Sequence, residues 1–192
     1  MTLKEFDRDG SFVLLEGKRN VLDSKKEKLT DLGKLLAANS NRMTFRSGNA
    51  DGADHFFSTC VVAVDSKRLQ VITPYSGHRQ KNNAYDTVSL DDINIAEERE
   101  VIYQSKQNKK AENLIYHFVS GEKNRISIKT AYILRHNIKA IGTDKIKPAT
   151  FVIFYDDLQN PMTGGTGHTM TICKQNNITI IDQNTWFKWL TE

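Results

Sequence analysis

The chain is poor in cysteine, with only Cys60 and Cys173 among 192 residues. These two share no CxxC spacing and have no paired histidines, and both sit in apolar helical patterns. That argues against a disulfide framework or zinc site and for buried free thiols in a reducing compartment. The five histidines, His55, His78, His117, His136 and His168, form neither HxxxH nor HExxH, so no metal is expected. No apolar run approaches the roughly 18 residues of a membrane span. The opening stretch MTLKEFDRDG lacks the apolar core of a signal peptide. The expectation is a cytoplasmic protein without a membrane partner, in the host cytoplasm if it is viral. Neither GxGxxG nor GxxxxGK[ST] occurs, which argues against ordinary dinucleotide and P-loop chemistry.

Hydrophobic residues make up 39% of the chain and charged residues 26%, the balance of a globular protein able to bury a sizeable core. The net charge is +4 and the isoelectric point about 9.0. A mildly basic balance is compatible with an anionic ligand, and equally with a solvated lysine-rich surface.

Apolar periodicity alternates along the chain. Ser11–Glu16, Met43–Gly48, Leu69–Pro74, Thr150–Tyr155 and the stretch NNITIID read as five short strands. Helical spacing appears over Val21–Ala38, Ala53–Val64, Ala111–Phe118, Ile126–Ile141, His168–Gln175 and NTWFKWL. Asp91 or Asp92 would cap a further helix through INIAEEREVIYQSKQ. Strand–helix alternation with short connections predicts an α/β fold: a parallel five-stranded sheet with right-handed crossovers and helices on both faces. One domain over residues 1–192 is expected, with a less regular insertion at about 75–124.

Two strand-to-helix junctions are rich in glycine. RSGNADGADHFF begins at Arg46, and TGGTGHT begins at Thr163. In open parallel sheets, ligands bind beyond the carboxyl ends of the strands. Glycine there removes Cβ atoms, and free N–H groups at a helix start attract phosphate. Thr163, Thr166 and Thr169 add hydroxyl donors. Either loop alone is more often a structural turn; two at one sheet edge suggest a phosphate or phosphosugar cradle.

On these residues the chain resembles the SLOG superfamily, the Rossmann-like group that includes the Smf/DprA and LOG proteins. RSGNADGADHFF resembles the SGGADGAD-type motif, and TGGTGHTMTICKQNNITIIDQ the GGTG loop, helix and final strand. LRHNIKAIGTDKIKPATFVIFY is similar to the segment that links them in small members, often from phages or bacteria. The resemblance implies a Rossmann-like sheet that binds nucleotides or nucleotide-derived ligands. Some members cleave nucleoside 5′-monophosphates at the N-glycosidic bond, some sense nucleotide signals, and the DprA branch binds single-stranded DNA. It assigns Ser47, Gly48, Asp51, Gly52 and Asp54 to the first motif, and Gly164, Gly165, Thr166 and Gly167 to the second. Asn49 replaces a glycine of the first motif. In the second, Thr163, His168 and Thr171 stand where the LOG hydrolases carry proline, threonine and glutamate. A carboxylate stabilises the oxocarbenium-like transition state of N-glycosidic cleavage, so loss of that glutamate counts against hydrolysis.

Lys18 and Arg19 follow the first strand and are candidate phosphate contacts, or a solvated turn. Asp51 is a candidate ligand contact, and also a candidate cap for the second helix with Asp54 in its first turn. Asp51, Asp54 and Asp156, with Asp157, are the carboxylates available for catalysis if there is any. His168 starts a helix, where a neutral, ligand-contacting ring would fit. His136, near a helix end with Arg135 and Asn137, reads most simply as a helix-end cation, with a ligand-facing or partner-facing ring as the alternative. Basic stretches at Ser76–Asn83 and Gln104–Lys110, with Tyr75, Tyr85 and Tyr103, would suit a nucleic-acid backbone and stacked bases. A solvated insertion, a lid over a small ligand or a homo-oligomer contact accounts for them as well. The leading expectation is a module that binds a nucleotide-derived small molecule, with no required cofactor. A nucleotide N-glycosidase and a DprA-like single-stranded DNA binder are the alternatives.

Overall fold

The structure, a computed structural model, describes residues 5–79, 86–107, 111–121 and 125–191. Its strands are β1 (Phe12–Gly17), β2 (Thr44–Ser47), β3 (Leu69–Thr73), β4 (Thr87–Ser89), β5 (Phe151–Tyr155) and β6 (Thr179–Ile181). Its helices are α1 (Asp23–Ala38), α2 (Ala53–Asp65), α3 (Arg99–Lys106), α4 (Glu112–Val119), α5 (Arg125–Ile141), α6 (Gly164–Gln175) and α7 (Gln183–Trp189). The strands form one six-stranded sheet in the order β4-β3-β2-β1-β5-β6, and every pairing is parallel.

Helices cover both faces, so the central strands are apolar on both sides. Side chains alternate along a strand, and β1 shows what this does. Val13 and Leu15 pack with Leu29, Leu32, Phe57 and Trp186 on the face covered by α1, α2 and α7. Leu14 points the other way, to Met170, Ile172 and Cys173 of α6 and to Ala140 of α5. The same alternation puts Glu16 on the Leu14 face. A third apolar cluster joins Ile72 of β3 to α3, α4 and α5 through Val101, Ile115, Leu134 and Ile138. Both cysteines are free and buried.

The sheet has six strands where five were expected. The additional strand, β4, occupies three residues within the stretch expected as a less regular insertion, and among the described residues it pairs only with β3 at the sheet edge. Nor does a helix follow Asp91 or Asp92 directly. Ser89 caps a 3-10 turn at Leu90–Asp92, its hydroxyl accepting from the Asp91 amide while the Asp92 carboxylate accepts from the Ser89 amide. The α-helix begins only at Arg99. The long helix α5 stops where Gly142 takes a φ of 74°, as the sequence suggests.

β1 and β5 are neighbours, and their chains leave in opposite directions. β1 leads through α1 to β2; β5 leads through α6 to β6. The crevice at their carboxyl ends is therefore the switch point where such sheets bind ligands.

Candidate functional site

A cleft of about 750 Å³ lies at this switch point, walled by the ends of β1 and β5, the start of α6 and one face of α5. Its size falls in the usual range for small-molecule sites. Glu16, Lys18, Arg19, Lys25, Arg135, His136, Asp156 and Asp157 bring charge or titratable chemistry to its lining; Leu22, Tyr132 and Tyr155 add apolar and aromatic surface.

The wall formed by TGGTGHT is helical rather than loop. Four residues counted as loop, Gly164, Gly165, Thr166 and Gly167, form the first turn of α6, which starts at Gly164 rather than His168. Thr163 is the N-cap residue, but no side chain caps the helix and no acid occupies its first turn. A helix start with this character offers N–H groups and a positive dipole end to an anion. Its three glycines differ in role. Gly164 has a φ of 65° and open space where a β-carbon would go. A β-carbon on Gly165 would lie 2.8 Å from His136 Nε2, and one on Gly167 would lie 2.0 Å from the Met162 carbonyl oxygen. Thus Gly164 is open, while Gly165 admits His136 and Gly167 admits the loop backbone. Thr163, Gly164, Gly165 and Thr166 line the cleft; Gly167 and His168 do not. His168 is half-buried, and burial with the Lys139 charge lowers its pKa.

Lys18 ties this helix start to β1. Its ammonium donates to the Thr163 carbonyl at 2.7 Å and hydroxyl at 2.6 Å, and it pairs with Asp156 at 3.3 Å. Asp156 lines the cleft, but its carboxylate accepts from the Asp157 amide at 2.9 Å and the Met162 amide at 2.8 Å. It organises the β5–α6 loop. Arg19 is exposed on the cleft and forms no hydrogen bond or ion pair among the described residues.

The RSGNADGADHFF stretch is built differently. Ser47, Gly48, Asn49, Asp51, Gly52 and Asp54 are all absent from the cleft wall, where only Ala50 of this loop appears. What approaches the glycines closely is the protein itself. A β-carbon on Gly52, whose φ is 84°, would fall 2.2 Å from the Arg19 carbonyl oxygen, and the Ala53 amide donates to the Lys18 carbonyl at 3.1 Å. Asn49 takes a φ of 55°, its amide donating to Ser47 Oγ and its side chain to the His78 carbonyl. The N-cap of α2 is Gly52, so Asp51 is not the cap; its carboxylate pairs with Arg79 at 2.7 Å. Asp54 is buried and accepts from the Gly17 amide at 3.1 Å and the Ala50 amide at 3.4 Å.

Behind the cleft lies a buried ionic cluster. Glu16, on the inward face of β1, pairs with Lys139 of α5, and His136 Nδ1 stands 3.8 Å from its other oxygen. A β-carbon on Gly48 would meet Lys139 Nζ at 2.8 Å and Asp54 Oδ2 at 3.3 Å, so Gly48 keeps this pocket open for both charges. Arg135 donates through Nη1 to the Gly48 carbonyl at 2.6 Å, and its buried Nε has no partner among the described residues. Burial, with the charge of Glu16, pushes the Asp54 carboxyl up to about 7. His136 is no helix-end cation: burial first, then Lys139 and Arg135, holds its pKa well below the ordinary value.

The sequence reading passed over Glu16 and Lys139 and did not place Arg135 on the cleft. Strand alternation from Leu14 was the available signal for Glu16. The i, i+4 spacing of Arg135 and Lys139 puts both on one helix face, but their burial depends on α6 and β1 closing over α5.

Tyr75 and Tyr103 are exposed and do not line the cleft. Lys81 and Tyr85, with the rest of 80–85, lie outside the described residues, as do Lys109 and Lys110. Among the described residues, no helix is long and apolar enough to cross a membrane.

No protein-family model matches the chain, and no curated protein matches it. Among solved structures it is similar to DNA processing protein A from Helicobacter pylori, in a structure described for its unique single-stranded DNA binding mode. The TM-score is 0.52 with 15% identity, covering 94% of this chain and 66% of that one. The fold is DprA-like. At this identity the likeness is one of architecture: a Rossmann-like parallel sheet over nearly the whole chain. Every residue role in the cleft therefore rests on its own geometry.

Proposed function

We propose that this protein binds a nucleotide or nucleotide-derived small molecule in the cleft between β1, β5 and α6. The observation that carries the reading is the uncapped start of α6 at the switch point, facing Arg19 and the buried Arg135 across a cleft of about 750 Å³. Phosphate would rest on the amides of Gly164, Gly165 and Thr166, where the dipole and the arginines favour negative charge. Sugar and base would extend toward Leu22 and Tyr132. Lys18 acts at one remove, fixing the helix start through Thr163 and Asp156.

Two observations favour binding over N-glycosidic hydrolysis. Asp51 and Asp54 lie off the cleft wall, and two of the three carboxylates that reach it are engaged by cations: Asp156 by Lys18 and two amides, Glu16 by Lys139. The third, the exposed Asp157, accepts from the Gln159 amide at 2.9 Å and is the carboxylate left to test for hydrolysis. The DprA-like fold supports single-stranded DNA as the second reading.

Mass spectrometry of small molecules released on denaturing the purified protein tests the first reading, together with thermal stabilisation by nucleoside 5′-monophosphates. Stabilisation without release of free base supports a binder. Turnover to free base restores the hydrolase. Tight, salt-sensitive binding of an oligonucleotide, with no effect of mononucleotides, favours the second reading.

A further inference from the structure

His136 is almost fully buried, yet one edge of its ring reaches the cleft wall beside Gly165. Its protonation pattern follows from its neighbours. Nδ1 lies 2.8 Å from the Thr169 hydroxyl, and that hydroxyl donates to the Gly165 carbonyl at 3.1 Å. A hydroxyl has one proton, so with that proton on the carbonyl it must accept from Nδ1–H. Glu16 Oε1, which can only accept while ionised, stands 3.8 Å from the same Nδ1 and favours a proton there too. The neutral ring carries one N–H, so Nε2 keeps its lone pair. Burial, then Lys139 and Arg135, oppose a second proton on the ring.

We propose that His136 Nε2 is the specificity-determining acceptor of this cleft, and that it reads a sugar hydroxyl of a ribonucleotide. The inference rests on the nucleotide reading above and goes further in naming the sugar. Nε2 abuts the second residue of α6. With a 5′-phosphate on the helix amides, the ligand group next to that point is the ribose rather than the base edge. An acceptor set beside a row of donors repels a second phosphate oxygen and receives an O–H. A site built to hydrogen-bond a hydroxyl rejects the analogue lacking it, because the buried acceptor is left unpaired. Thr169 is a positioning residue: it selects the tautomer without reaching the ligand.

The test has two arms on the full chain. In the first, long-range proton–nitrogen correlation spectra of nitrogen-labelled protein read the His136 ring directly. Expected are a protonated Nδ1 and an unprotonated Nε2 across pH 6 to 8; a proton on Nε2 overturns the proposal. In the second, titration calorimetry compares AMP, GMP, CMP and UMP with their 2′-deoxy and 3′-deoxy counterparts. Wild type should prefer the ribonucleotide over at least one deoxy series by tenfold or more. His136→Leu should lose that preference. Thr169→Val, which leaves the cleft wall in place, should reduce it. His136→Gln, which can present an acceptor, should restore part of it. Binding of ribo- and deoxynucleotides with equal affinity, or a preference unchanged in His136→Leu, overturns the inference and leaves the nucleotide site standing. Failure of every mononucleotide to bind wild type overturns both.

Discussion

Gly52 packs against the backbone of Arg19 so closely that a β-carbon would lie 2.2 Å from the Arg19 carbonyl oxygen, and Gly52 itself takes a φ of 84°. The contact locks the β1–α1 turn onto the start of α2. Gly52→Ala should therefore lose more than about 2 kcal/mol, from left-handed strain and the collision together. Gly164→Ala, also left-handed but facing open space, should lose only about 1–2 kcal/mol. Urea unfolding of both variants checks the contrast, and equal losses would contradict the packing role of Gly52.

The ion pair of Glu16 with Lys139 is buried on both sides. Lys139→Met strands a carboxylate in the interior and should destabilise by about 3–5 kcal/mol. The double variant Glu16→Gln, Lys139→Met should recover much of that loss, because no charge is left unpaired. A double-mutant cycle by chemical denaturation reads the coupling.

Asp54 should make stability depend on pH. Its carboxyl is pushed up to about 7 from 3.8, chiefly by burial and then by Glu16. The folded state thus holds the proton more tightly. The contribution is fully present below about pH 4 and is lost as pH rises through about 7. His78 runs the other way: burial and Arg135 bring it down to about 4 from 6.5, so its contribution is present above pH 6.5 and lost as pH falls through 4. Subtracting the stability curve of Asp54→Asn cancels the His78 effect. Wild type minus variant should fall steadily between pH 4 and 7, and a flat difference would contradict a proton-holding Asp54.

How far the sequence could be read follows from the range of the interactions involved. Five of the six strands and most helices announce themselves through local apolar spacing, and the parallel pairing through alternation. β4 and β6 are both three residues long, but β6 lies in the apolar run ITII, whereas β4 offers one apolar residue, Val88, in a polar stretch. At the site, the glycine motifs mark close approach but not what approaches. TGGTGHT does border a cleft; RSGNADGADHFF meets the Lys18–Arg19 turn. Glu16, Arg135 and Lys139 come from β1 and α5, more than 100 residues apart in sequence, and only the closed sheet brings them together.

The same distinction decides the variant that tests the phosphate cradle. Gly165→Asp would strike the His136 ring, 2.8 Å from the added β-carbon, and confuse packing with charge. Gly164→Asp meets nothing within 4 Å, and aspartate tolerates the left-handed backbone there. It places a carboxylate where the phosphate would rest. The measurement is titration calorimetry of wild type and Gly164→Asp with nucleoside 5′-monophosphates, with thermal unfolding as the control. The account predicts saturable binding to wild type and affinity at least tenfold weaker in a variant that still unfolds cooperatively. Equal affinity in the two proteins, or no mononucleotide binding to wild type, would contradict it.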